Sequence, residues 1–293
     1  MLNRGGLWTV AVLLAIGAAA LALGPVSAGS VAVSELSKHT HIHGIAVPPG
    51  SPPRVYIATH HGFFAVSADG MASRLSETGD DFMGFTPHPT DPALLYASGH
   101  PAGGGNLGFI ASVDGGRTWR QIAKGVNGPV DFHQMDVSRA DPAVIYGVHG
   151  GLQVSRDGGQ TWQVAGHLPD GLIDMATSAT NVDKVYAATK GGLLISKDVG
   201  ASWRPAYMVK RPVTMVQAAA DGALYAFVYG SGLMWATEPG LNWKLLSDGF
   251  GDGYLLHLAV DPADPAKLYA VDDQGNVLAS GDGGRTWAAF GGS

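Results

Sequence analysis

No cysteine occurs among the 293 residues, so neither disulfides nor thiolate metal ligands are available. Basic side chains are few: 18 Lys and Arg stand against 24 Asp and Glu, for a net charge of −6. They are scattered without forming a basic stripe, which argues against a nucleic-acid partner. Glutamate is scarcer still, and beyond residue 28 it occurs only as Glu35, Glu77 and Glu238. There is no Ser/His/Asp nucleophile motif and no dinucleotide fingerprint. The glycine-rich stretch His100 to Gly108 lies between two expected strands and so lacks the helix start that anion cradling uses. Long apolar runs are absent except for one, Leu7 to Leu23. It follows Arg4 and precedes Val26-Ser27-Ala28, the order of a charged region, an apolar core and a small-residue cleavage site. Residues 1–28 are therefore expected to be an export signal, or an anchor where it is retained. The protein is expected to be periplasmic or extracellular.

What the chain has in abundance is glycine, 43 residues, and a repeat. SVDGGRTW (Ser112 to Trp119) returns as SRDGGQTW from Ser155, SKDVGASW from Ser196 and SGDGGRTW from Ser280. Decayed copies begin at Ser67 and Ala236, so the six starts lie 45, 43, 41, 40 and 44 residues apart. That period is one four-stranded propeller blade per copy. In each box the Asp accepts from turn amides, the glycines permit positive φ, and the Trp anchors the seam to a neighbouring blade.

Two further signals recur in step with the boxes. A Tyr-bearing strand precedes each box, at Tyr56, Tyr96, Tyr146, Tyr186, Tyr225 and Tyr269. Upstream of these lie six apolar runs starting at His41, Asp81, Asp131, Gly171, Pro212 and Tyr254, which are read as the innermost strands. The fold class is all-β: a six-bladed propeller with four-stranded antiparallel blades and the boxes as the turns between third and fourth strands. The domains are 1–28 signal, 29–40 N-terminal segment and 41–293 propeller. Blades tile as 41–79, 80–129, 130–169, 170–210, 211–252 and 253–293. Val31 to Ser37 is expected to add an outer strand to the last blade, and a monomer is expected.

The repeat S-x-D-x-G-x-T-W resembles the Asp-box (BNR) repeat of sialidases, sortilin-type receptors, some glycoside hydrolases and photosystem II assembly factors. HIHG, DFMGF and the SGHP…LGF blade resemble a bacterial group of exported Asp-box proteins described as glycosylhydrolase-like. The resemblance covers the whole chain after the signal and implies an exported propeller. Sialidases hold their substrate with three arginines and use a Tyr/Glu pair with an Asp acid/base. No arginine triad falls on one face here, so those catalytic residues are carried onto no position.

In an up-and-down blade the turns sort to two ends, and nine of the eleven histidines fall at the end opposite the boxes. His39, His41 and His43 alternate at period two, so an extended strand projects three imidazoles from one side. Joined by His60, His61, His100, His133 or His149 at the channel mouth, His41 and His43 suit a divalent transition metal, copper or zinc. Each histidine alone is also explained by capping a strand end or bonding a loop carbonyl. The other candidate chemistry is glycoside hydrolysis by Asp81 with Asp131 or Asp174, from the starts of three successive innermost strands. Three functions follow: a binding or assembly module, with or without a metal; a glycoside hydrolase; or a scaffold presenting its rim to a protein. The ligand at this face is expected to be a small molecule, a glycan or a protein.

Overall fold

A computed structural model describes residues 29–50 and 54–291. Six antiparallel sheets follow one another along the chain, and the four strands of each blade pair in sequence order. Their first strands are Ile42–Ala46, Asp81–Pro87, Gln134–Val137, Leu172–Thr177, Val213–Ala218 and Leu255–Val260. Each of these contacts the first strand of the next sheet, and Leu255–Val260 contacts Ile42–Ala46, so the ring closes. The protein is a six-bladed β-propeller with these strands around its axis. The expected signal segment, residues 1–28, lies outside the described residues. Among the described residues no helix is long and apolar enough to cross a membrane.

The boxes hold the blades together as well as turning the chain. Ser155 Oγ donates to Asp157 Oδ1 at 2.8 Å and accepts from Gly159 N at 2.8 Å, while Asp157 accepts from the Thr161 amide at 2.9 Å. The Thr286 hydroxyl and amide hold Asp282 of the last box well below the usual carboxylate range. The second box glycine has positive φ, 86° at Gly159, and a Cβ there would stand 2.0 Å from the Phe109 ring of the preceding blade. Trp162 packs on that same Phe109, with centroids 5.2 Å apart. The fifth, decayed box has Glu238 where the others have Asp. Its carboxylate reaches into blade four and accepts from Ser178, Ala179 N, Lys184 and Tyr186.

The N-terminal segment corrects one expectation. Val31–Ala32 pairs with Met71–Arg74, so it extends the first blade to five strands and adds none to the last. The chain then forms a single helical turn, Val33–Leu36. Val33 and Leu36 are buried with Ile57 and Val66 of blade one and Val271, Val277 and Phe290 of blade six. Closure therefore comes from an apolar plug across the seam, because the four strands of blade six are all supplied by its own segment.

Candidate functional site: paired histidine–aspartate clusters at the channel mouth

Strand register sets which residues meet. Ile42 pairs with Thr59 and Asp81 with His100, so each innermost strand starts beside the turn between the second and third strands of its own blade. In blade one the register slips between Ile42 and Gly44, leaving His43 as the extra residue of a β-bulge. The same slip occurs at Leu172/Asp174, Val213/Met215 and Leu255/His257.

Two clusters form at this end, one at each of two successive blade seams. In the first, Asp81 lies between His43 and His60: His43 Nε2 is 3.3 Å from Oδ1 and His60 Nδ1 is 2.9 Å from Oδ2. In the second, Asp131 Oδ2 lies 3.0 Å from His100 Nε2 and 2.7 Å from His133 Nε2. Both carboxylates are buried, with side chains 10% and 5% exposed, whereas His60 and His133 are 52% and 63% exposed. The buried atoms His43 Nε2, Asp81 Oδ1 and Asp131 Oδ1 have no hydrogen-bond partner. Nε2 and Oδ1 of the first cluster thus face each other at 3.3 Å without a hydrogen bond, which is costly for two desolvated polar atoms.

Burial, with smaller contributions from the neighbouring imidazoles, outweighs Asp81 and lowers the His43 pKa, which keeps the ring neutral. His100 is moved the other way. Its Nδ1 is 2.7 Å from the Gly105 carbonyl and its Nε2 faces Asp131, so both ring nitrogens meet acceptors and the pKa rises. The ring also ties the glycine-rich loop to the second cluster. Ala102 N, in that loop, donates to Asp80 Oδ1 at 3.1 Å.

Below the mouth the innermost strands enclose a central cavity of about 110 Å³, lined among others by His43, His133, Asp136, Arg139, Asp174 and His257. Asp174 accepts from Val216 N at 2.8 Å, and burial pushes its pKa up to about 7. Burial, and then His43, pushes His257 down to about 4. Asp136 accepts from the Thr177 amide and hydroxyl, both at 2.7 Å, and lies 3.4 Å from Arg139.

The expected residues separate into groups. His43, His60 and Asp81 have ligand atoms all within 4.8 Å of one another, a set able to hold a metal ion. His100, His133 and Asp131 form the neighbouring cluster. His149 Nδ1 is 3.0 Å from the Asp131 carbonyl, and His61 Nδ1 is 3.3 Å from the Thr40 hydroxyl, so these two bond to the surroundings of the clusters. The alternating His39-x-His41-x-His43 strand does not form. His39 sits in the turn after the helical segment, its N–H bonded to the Leu36 carbonyl, and His41 precedes the strand with its side chain exposed. His167 is held by the box of blade four, through Gly200 O and Trp203 Nε1, away from the mouth. Asp174 lies two residues inside its strand and bonds sideways to the next blade. Asp136, Arg139 and His257 were not singled out as site residues. For Asp136 and His257 the only sequence signal is a polar residue inside an otherwise apolar innermost strand, and Arg139 follows such a strand by two residues.

The fold and this geometry define a propeller with a polar mouth, and comparison with known proteins agrees on the class. The BNR/Asp-box repeat model matches residues 153–164. No curated protein matches the chain. Among solved structures it is similar to the GH74 xyloglucanase of Xanthomonas campestris, at 20% identity and a TM-score of 0.59, over 85% of this chain and 45% of that one. It is similar also to the GH74 enzyme of Niastella koreensis, at 17% identity and a TM-score of 0.62, again over 85% of this chain and 45% of that one. YCF48 of Cyanidioschyzon merolae aligns at 16% identity and a TM-score of 0.50 over 85% of this chain and 84% of that one. The chain spans less than half the length of the two GH74 enzymes. What these likenesses share with it is the β-propeller fold.

Proposed function

We propose that this protein is a ligand-binding propeller, exported by its N-terminal segment, whose mouth holds one divalent transition metal ion through His43, His60 and Asp81. The observation that carries the reading is the pair of buried atoms, His43 Nε2 and Asp81 Oδ1, that face each other without a hydrogen bond. A cation between them satisfies both. Two imidazoles and one carboxylate, with no thiolate in the chain, form a set that zinc accepts in sites with an open position for water or a ligand. Imidazole also suits copper. Elemental analysis of tag-free protein is expected to show one equivalent of metal, lost in a His43→Ala/His60→Ala variant. Metal-free protein that takes up no zinc or copper on titration would sink the reading.

The second reading, glycoside hydrolysis, is favoured by Asp174, which burial keeps protonated near neutrality as a general acid requires. Asp81 and Asp131 suit it less, each being held between two imidazoles. Turnover of aryl glycosides that is lost in Asp174→Asn would establish it over the first.

A further inference from the structure

The second cluster has a shape that metal binding leaves unused. His133 Nε2 lies 2.7 Å from Oδ2 of buried Asp131, a distance at which the carboxylate favours the proton of the neutral ring on that nitrogen. Nδ1 is then a free base, and among the described residues it makes no hydrogen bond on a side chain 63% exposed. A carboxylate fixing one imidazole nitrogen so that the other can take a proton is the arrangement of an oriented general base. Asp131 cannot easily swing away: His100 holds the same carboxylate oxygen at 3.0 Å, and His149 sits 3.0 Å from its carbonyl. His133 and His43 line one cavity. The base and the proposed metal therefore open onto the same space.

We propose that the mouth is a hydrolytic centre in which His133 is the general base, Asp131 its positioning residue, and the substrate a small uncharged ester or lactone. The inference rests on the reading of His43, His60 and Asp81 as a metal site. His133 Nδ1 takes a proton from water held at the metal, and the water oxygen bonds to the ester carbonyl carbon. The carbon–oxygen bond to the alcohol breaks, the departing oxygen takes the proton back from His133, and a carboxylic acid and an alcohol leave, so one water is consumed per ester. The metal supplies a lowered water pKa and a positive charge beside the carbonyl oxygen. Substrate charge is restricted by Asp81, Asp131 and Asp136, which place carboxylates at or below the mouth against Arg139 alone in the cavity lining, so anionic phosphates and carboxylates are repelled. A cavity of about 110 Å³ admits a small acyl group and excludes a folded polypeptide.

The test uses the full propeller loaded with one equivalent of zinc, assayed on p-nitrophenyl acetate and a γ-lactone, with p-nitrophenyl phosphate and an aryl glycoside as comparators. Ester and lactone turnover above that of free zinc is expected, with the comparators inert. His133→Asn should lower kcat by about 100-fold or more, the usual size of a lost general base, with zinc affinity unchanged. Asp131→Asn should lower kcat and displace the pH–rate profile, which a merely structural role would not do. Cobalt substitution gives a reading independent of turnover, because the pH at which the cobalt absorption changes should move in His133→Asn. Zinc uptake in both variants also reports that they have folded. Bound zinc without ester or lactone turnover, turnover only of a comparator, or full activity in His133→Asn overturns this proposal alone. Failure of the wild-type protein to bind zinc overturns the metal reading and this one with it.

Discussion

His60 Nδ1 lies 2.9 Å from Asp81 Oδ2, and the two residues belong to different blades. His60 sits in the turn between the second and third strands of blade one, and Asp81 opens the innermost strand of blade two. One blade further on the relation repeats, with His100 at the end of a second strand and Asp131 just ahead of the next innermost strand, 3.0 Å apart. The repeat period of the chain is thus also the repeat period of its polar mouth. Each carboxylate is buried where a blade seam meets the channel; two imidazoles of blade one close over Asp81, and one each from blades two and three over Asp131.

This contact gives the first prediction. Asp81→Asn keeps the size of the side chain but removes the charge and one acceptor from the seam. Zinc affinity measured by calorimetry should fall at least ~10-fold, and similarly in His60→Ala, while His61→Ala should stay near wild type because its ring bonds to Thr40. Equal losses in all three variants would mean that the seam geometry does not select the ligands.

Two half-buried groups give stability an opposed pH dependence. Asp174 has a folded-state pKa near 7 against an ordinary 3.8, so its contribution is complete below about pH 3.8 and is lost as pH rises toward 7. His257, near 4 against 6.5, contributes fully above pH 6.5 and loses that contribution as pH falls toward 4. In Asp174→Asn, which keeps an acceptor for Val216 N, the gain over wild type should grow between pH 4 and 7 to on the order of 3 kcal/mol. In His257→Gln the wild-type loss on acidification from 6.5 to 4 should shrink. Chemical denaturation at several pH values measures both, and parallel curves for wild type and Asp174→Asn would refute the first.

The boxes give a sharper stability test. Ser155→Ala leaves the buried Gly159 amide without its acceptor and should cost about 1–3 kcal/mol. Gly159→Ala meets the Phe109 ring at 2.0 Å and needs a positive φ of an L residue, so about 3 kcal/mol or more is expected. Denaturant midpoints that place Gly159→Ala near wild type would show that the seam is loosely packed.

Closure of the ring is predicted to depend on Leu36. It is 3% exposed and packs with Val271, Val277 and Phe290, residues far away in sequence. Leu36→Ala should cost about 3 kcal/mol, and hydrogen exchange should rise first in blades one and six. Uniform loss of protection around the ring would argue that the plug is not the weak point.

The spacing of the boxes was enough to read the number of blades and the place of each strand. A period near 43 residues admits one sheet per repeat, and in the boxes that start at Ser112, Ser155 and Ser280 the Ser, Asp, Gly and Trp satisfy one another within eight residues. That histidines gather at the end opposite the boxes was legible for the same reason, since strand order fixes the end to which each turn belongs. His39-x-His41-x-His43 misled because period two is informative only inside a strand. The strand begins at Ile42, after the apolar pull of Val33 and Leu36 has curled the segment into a helical turn.

Local chemistry therefore settled what recurs: the turn, the strand, the blade and the ring they build. The sequence by itself could not settle which of many polar groups share a partner, because His60 with Asp81 and His100 with Asp131 meet across seams between different repeats. Nor could it place Val31–Ala32 on the first blade, a choice made by pairing with Met71–Arg74 and by apolar burial at the closing seam. Such contacts depend on the rotation between neighbouring sheets and on bulges that turn single residues such as His43 out of register. These features exist only once the ring has closed.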